Sequence, residues 1–464
     1  MKRTTSLPAA MAVTLATTLL LTAGTASAAD RDGHDGARHA GRGYYGTKTP
    51  YEPKDTASHY QRAPKGFTPV FTENVARHGS RAMTDSEDGD AVLAVLRTAQ
   101  ERNALTGLGK KLGPQVQSLL TAASALGYGN LSGLGAREQQ ETALRMEQRL
   151  PALFRTIAAD REPIVVETSG VARTVASAQA FTTGLTGGDP ALAELVKAPV
   201  TDKNLLYFHK QPQNADYQAY LAADPDLATV LAGIDGLPRT TQAARNVVER
   251  LFEDDFAASL SDSERISFAR SLYALYSTAP DLVVEAPGVD LGPFLTPRDA
   301  QWFAYLDDAE EFYQKGPAFS GRTITYKMAD VLLDDLFAQA AAKAAGTSDN
   351  GAVLRFTHAE EIEPLAALMG LPGSTEPAMP GQPYSYRNNP WRGAEVVPMA
   401  ANIQWDLYAG TDLTAKHGDG TSAAYLVRML YNEKETAFKS SCRPVAKGSY
   451  FYDLDELRRC FDRS

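Results

Sequence analysis

The sequence is poor in the residues that build metal centres and disulfide frameworks. Among 464 residues there are two cysteines, Cys442 and Cys460, and seven scattered histidines. No metal-ligand spacing appears, so no structural zinc site is expected. Positive charge is also in deficit: 46 Lys and Arg face 56 Asp and Glu, for a formal net charge of −10. That argues against a nucleic-acid partner, since nothing supplies a broad basic face. It does not argue against a small anion, because a few clustered arginines make a positive cleft on a negative protein. Beyond the N-terminus there is no apolar run long enough to span a bilayer.

The N-terminus itself, "MKRTTSLPAAMAVTLATTLLLTAGTASAAD", has a basic start at Lys2 and Arg3, an apolar middle, and small residues at Ala26 and Ala28. It reads as a signal peptide over 1–29, cleaved near Ala28 or Ala29. The mature protein is therefore expected to be secreted, with no membrane segment. In that compartment Cys442 and Cys460 are expected to pair, closing a loop of about 18 residues for roughly 3 kcal/mol. Residues 30–45, with His34 and His39, read as a flexible lead-in rich in Gly, Arg and Asp.

Strand and helix patterns then alternate. "TPVFTENVA" (68–76) and "EPIVVETSG" (162–170) read as strands, the second followed by "VARTVASAQAFTTGL" with apolar residues at helical spacing. "AVLRFT" followed by a helix from about Ala359 repeats the design, and "EVVPMAANIQWDLYAG" and "AAYLVRMLYNE" read as two further strands. The expected class is α/β, a mainly parallel sheet flanked by helices. The core is assigned to 46–186 and 346–464. Between 187 and 345 acidic helical segments dominate, which marks a mostly α-helical insertion.

Ligands of open α/β sheets sit beyond the carboxyl ends of the strands. Three polar clusters fall there: Arg77-His78-Gly79-Ser80-Arg81, then Arg173, then His358-Ala359-Glu360. Each has an ordinary reading as surface arginines, a structural histidine, or acids complementing a helix dipole. Their shared topological position favours a common site instead. Three guanidinium forks suit a tetrahedral phosphate, a neutral imidazole can attack phosphorus, and a carboxylic acid can protonate the leaving alkoxide.

Arg-His-Gly-Ser-Arg after a strand, with a distant His-Ala-Glu, resembles the histidine phosphatase superfamily in its acid-phosphatase and phytase branch. The His-Ala-Glu form looks like the multiple inositol polyphosphate phosphatases, as do "YYGTKTPY", "LTGLGKKLG", "SGVARTVASAQAF", "YQKGPAF", "VVPMAANIQWDLY" and "VRMLYNEKE". The similarity runs from about Gly46 to the C-terminus. It implies that His78 is the nucleophile and forms a phosphohistidine, and that Arg77, Arg81, Arg173 and His358 hold the phosphate. Glu360 would be the proton donor. No cofactor is implied, because the arginines supply the charge neutralisation that Mg²⁺ supplies elsewhere. The resemblance also implies that the insertion covers the cleft. Lys48, Lys110, Lys111, Lys203, Lys210, Lys315 and Arg387 lie in segments able to ring it, with Lys48, Lys315 and Arg387 singled out as substrate contacts. Two departures stand out: Met83 replaces a proline usual in the first motif, which implies altered loop geometry, and the insertion lacks the stapling cysteines of some relatives.

The expected function is a phosphomonoester hydrolase acting on inositol polyphosphates, phytate included, as a monomer. The competing readings are a broad acid or sugar-phosphate phosphatase, and a phosphate-ester binding protein without catalysis.

Overall fold

The computed structural model describes residues 43–410 and 425–463. The expected signal peptide with its cleavage point, and His34 and His39, lie outside the described residues. Tyr44 and Tyr45, the last positions assigned to the lead-in, are docked. The Tyr44 N–H donates to Tyr276 Oη at 3.2 Å, and the Tyr45 and Tyr276 ring centroids are 5.1 Å apart. No helix of the described residues is long and apolar enough to cross a membrane.

One sheet organises the fold. Its strands are β1 (Phe67–Arg77), β2 (Ile164–Thr168), β3 (Val200–Thr201), β4 (Ala352–Thr357), β5 (Asn402–Gly410), β6 (Tyr425–Tyr431), β7 (Lys434–Glu435) and β8 (Phe451–Asp453). They run in the order β3-β2-β4-β1-β5-β6-β7, with β8 also on β6. From β3 to β1 every pairing is parallel, and from β1 to β5 onward every pairing is antiparallel. In the middle of the parallel part β4 is covered on both faces and buried at all six positions. Arg355 is tolerated there because acids surround it: Glu73 of β1 at 3.0 Å, Glu167 of β2 at 3.4 Å, and Asp335 at 2.5 Å.

The principal helices are α1 (Glu87–Glu101), α2 (Gly109–Leu126), α3 (Gly133–Arg149), α4 (Ala172–Gly188), α5 (Pro238–Leu251), α6 (Asp262–Thr278), α7 (Pro297–Gln314), α8 (Asp330–Ala344) and α9 (Ala359–Met369). The 187–345 segment is mostly helical, as its composition suggests. It also supplies β3, which joins the sheet edge by pairing Val200 with Glu167 and Thr201 with Thr168. No cysteine braces this segment. Instead α5 buries Ala243, Ala244, Val247, Val248 and Leu251, and packs on α6, which also packs on α1. Each such side chain contributes about 1.5–3 kcal/mol when fully buried, Ala less. A Ser261–Glu264 capping box starts α6. At the C-terminus Cys442 and Cys460 are bonded, with Cα atoms 5.2 Å apart.

Candidate active site

Register decides what meets at the sheet's carboxyl edge. Arg77 of β1 pairs with Thr357 of β4, and Thr168 of β2 pairs with Phe356. The three strands therefore end almost level, with β4 in the middle. His78, His358 and the Ser169–Arg173 turn leave the sheet side by side.

The 77–81 turn is fixed from several directions. The His78 N–H donates to Thr357 O (2.9 Å), the Arg77 N–H to Ala401 O (2.8 Å), and Gln139 Nε2 donates to Arg77 O (2.8 Å). Gly79 allows the backbone of α3 to close in. A Cβ on Gly79 would sit 2.4 Å from Gly135 O and 2.7 Å from Gly135 Cα, so neither side can carry a larger residue. Beyond Arg81 the chain runs beside 129–132. Ala82 N–H donates to Asn130 O (3.0 Å) and Gly129 N–H to Met83 O (2.7 Å). These bonds brace the loop at the position where a proline would otherwise stiffen it.

His78 Nδ1 lies 2.9 Å from Gly79 O. A carbonyl only accepts, so Nδ1 carries the proton and the Nε2 lone pair is free. Burial lowers the proton affinity of His78 well below the ordinary imidazole range, and Arg77, His358, Arg81 and Arg173 lower it further. The ring is thus neutral near pH 7, with its Nε2 lone pair unprotonated. His358 packs edge-on to it at 5.5 Å between centroids, and burial followed by Arg173 brings its pKa down to about 3. Ser169 Oγ, 2.8 Å from His358 Nε2, orients that ring.

The surrounding donors lack acceptors. The Nε atoms of Arg77, Arg81 and Arg173 and the Nδ1 of His358 are all buried without a protein partner. Arg77 uses its NH1 on Thr47 O and Val397 O, and Arg81 uses its NH1 on Ala82 O. Burial, then mutual repulsion with Arg173 and Arg77, pulls Arg81 down to about 10. Such a cluster is costly when empty and is relieved by an anion.

Glu360 stands in the first turn of α9, whose N-cap is His358. Burial alone would raise its carboxyl, but Lys315, His209 and His358 hold it well below the ordinary carboxylate range. Lys315 is deeper than a rim residue, bonded to Glu311 at 2.6 Å and lying 3.6 Å from Glu360. Arg77, His78, Arg81, Arg173, His358, Glu360 and Lys315 thus gather at one place. Lys48 is adjacent, its Nζ 3.3 Å from Ser277 Oγ and its neighbour Thr47 holding Arg77. Arg387 is exposed in the loop after Tyr386, Lys110 and Lys111 are exposed at the start of α2, and Lys203 and Lys210 are exposed near Tyr207.

Several site residues are absent from the motif reading. Tyr207 packs on both His358 and His209, at 5.2 and 4.6 Å between centroids. His209 is bonded to Glu361, which also accepts from Thr357 Oγ1 at 3.0 Å. Glu361 adjoins the His-Ala-Glu motif, a usable signal. Tyr207 and His209, in "LLYFHK", carry none.

Residues 71–432 match the Histidine phosphatase superfamily (branch 2). The chain is similar to multiple inositol polyphosphate phosphatase 1 of Gallus gallus, 26% identical over 445 residues, covering 90% of this chain and 91% of that protein. The human protein of that name is 25% identical over 461 residues, covering 90% and 87%. Among solved structures, the Bifidobacterium longum multiple inositol polyphosphate phosphatase in complex with inositol hexasulfate superposes with a TM-score of 0.82 at 32% identity, covering 90% of this chain and 97% of that one. With the motif residues gathered at the strand ends and the match spanning most of its length, the chain belongs to the histidine phosphatase superfamily, in its second branch.

Proposed function

We propose that this phosphatase is exported and hydrolyses phosphomonoesters of inositol polyphosphates, phytate included, through a phosphohistidine on His78. The observation that carries the reading is the set of four buried donor positions without acceptors, on Arg77, Arg81, Arg173 and His358, around a neutral imidazole. The names of the relatives support the substrate class. The N-terminal signal pattern supports export, and the run of acidic helical segments between 187 and 345 supports the division into core and insertion.

The chemistry follows from the geometry. The substrate phosphate accepts from the arginine forks, which offset its charge and fix its orientation. His78 Nε2 forms a bond to phosphorus as the bond to the leaving oxygen breaks, and Glu360 gives that oxygen its proton. In the second half Glu360, now a carboxylate, takes a proton from water. The water oxygen displaces the imidazole and releases inorganic phosphate. In the empty site Glu360 is ionised. A bound phosphate cancels much of the cationic field holding it so, and its affinity for a proton rises. Phosphomonoesters lose their second proton near pH 6, so below about that pH the substrate arrives already carrying one.

The test is rapid mixing with labelled phytate, followed by acid or alkaline quenching. Phosphohistidine survives alkali and is lost in acid. Alkali-stable label on the wild-type chain and none on a folded His78→Ala variant is expected, together with loss of turnover in that variant. Turnover by His78→Ala would overturn the assignment. Faster release from glucose 1-phosphate than from phytate would favour the sugar-phosphate reading.

A further inference from the structure

Beneath the 77–81 turn two buried carboxyl groups share one hydroxyl. Ser80 Oγ lies 2.9 Å from Glu138 Oε1 and 2.9 Å from Asp281 Oδ1. Glu138 comes from α3, whereas Asp281 comes from the turn Ala279–Leu282 that follows α6 in the helical insertion. Ser80 and Asp281 have no exposed surface, and Glu138 keeps 5%.

A serine hydroxyl has a single proton to give. Glu138 accepts peptide N–H groups on both oxygens, from Ser80 on Oε2 at 2.7 Å and from Tyr51 on Oε1 at 2.8 Å. Burial raises its carboxyl, but these two N–H groups, the Ser80 hydroxyl and Arg77 all pull the other way, so Glu138 is the partner that holds the charge and takes the Ser80 proton. Asp281 has no such support, and its Oδ2 is buried with no partner at all. Two ionised carboxylates on one hydroxyl in this setting would repel with little screening, and an unpaired carboxylate oxygen would stay desolvated. A proton on Asp281 Oδ1 removes the repulsion and leaves Oδ2 as the oxygen of a neutral carbonyl, which costs less to bury than half of a carboxylate.

We propose that Asp281 is a neutral carboxylic acid donating to Ser80 Oγ, and that the chain from Asp281 through Ser80 to Glu138 is the strut by which the insertion holds the nucleophile turn. Asp281 is a positioning residue in this scheme and touches neither substrate nor His78. Its functional side rests on the reading of 77–81 as the catalytic turn. Its protonation does not.

The surroundings agree. Burial, then Glu138, push the Asp281 carboxyl well above its ordinary range, and the opposing pull of Ser80, Arg81 and Arg77 is weaker. Of the other elements against it, α2 turns an apolar side inward with Leu112, Val116 and Leu119. From the end of α6, Tyr276 is held neutral by a pKa raised to about 12. When Asp281 ionises in alkali, it loses its donor role and places a second negative charge under Arg77 and Arg81. The turn then loosens, and turnover falls reversibly.

The experiment compares the full-length wild type with Asp281→Asn by difference infrared spectroscopy near neutral pH. A protonated-carboxyl C=O band present in the wild type, shifted in heavy water and missing from Asp281→Asn, is expected. The same band should persist in His78→Ala, which separates this inference from the catalytic assignment. In turnover, Asn can donate from Nδ2 as the acid does, so Asp281→Asn should hold kcat in acid and lose less of it in alkali. Asp281→Ala should lower kcat by about tenfold or more with a smaller change in KM. Absence of the band, or an Asp281→Asn variant as impaired as Asp281→Ala at every pH, overturns the proposal. Should Asp281→Ala fail to fold, the band and the Asn profile decide.

Discussion

Lys315 Nζ lies 3.6 Å from Glu360 Oε1, a largely shielded cation seated beside the proton donor of the proposed reaction. A general acid held in its ionised form looks contradictory until charge is counted. The empty pocket concentrates Arg77, Arg173 and Lys315 around one carboxylate, and the incoming phosphate cancels that excess. The donor is loaded by its substrate rather than in advance, so its proton is not spent when no ester is bound.

Replacing Lys315 by Met should therefore extend activity toward alkaline pH. The sign is fixed by the direction of the shift: Lys315 lowers the Glu360 carboxyl, so its removal raises it and keeps Glu360 protonated at higher pH. Glu311 and Glu363, also near Lys315, would lose their counter-charge and push the same way. The alkaline limb of kcat/KM for an alkyl phosphate reports this, and a limb that stays put or moves to lower pH would remove Lys315 from control of the acid. Some stability should be lost as well, because buried Glu363 and partly buried Glu311 and Glu360 lose their shared cation.

Glu360→Gln separates proton donation from phosphate binding. An alkyl alkoxide leaves badly without a proton, whereas an activated aryl oxide needs none. The variant should slow phytate hydrolysis by about 10²–10⁴-fold and an activated aryl phosphate far less. Equal losses on both substrates would argue for a binding role alone.

Asp308 offers a stability test apart from the chemistry. It is 2% exposed, accepts from Tyr386 Oη at 2.7 Å, and lies so near Gly393 that a Cβ there would come within 2.6 Å of Asp308 Oδ1. Burial pushes its pKa up to about 7 from 3.8. The folded chain thus keeps a proton that the unfolded chain gives up, and stability falls as pH rises from about 4 to about 7. Asp308→Asn should remove this loss, which is on the order of 4 kcal/mol at most. Urea midpoints near pH 5 and pH 8 should separate widely for the wild type and less for the variant, and equal separations would count against a protonated Asp308.

The strand ends and the six motif residues were readable because each lies within a few positions of an apolar run. Parallel neighbours convert such local order into spatial convergence. What escaped depends on long-range contacts. Glu138 is a polar residue inside a helix, Asp281 sits in the plain stretch "TAPDLV", and His209 is paired with an acid 152 positions away. Two-residue β3 is exposed at both positions, so it lacks the alternation that marks a strand.

The level ending of β2, β4 and β1 has a consequence for how this pocket can change. Side chains alternate faces along a strand, so sliding β4 by one residue against its neighbours would carry His358 and Glu360 out of alignment and turn Arg355 away from Glu73 and Glu167. Catalytic spacing here comes in whole steps of the pleat. A single-residue deletion within β4 should silence the enzyme outright.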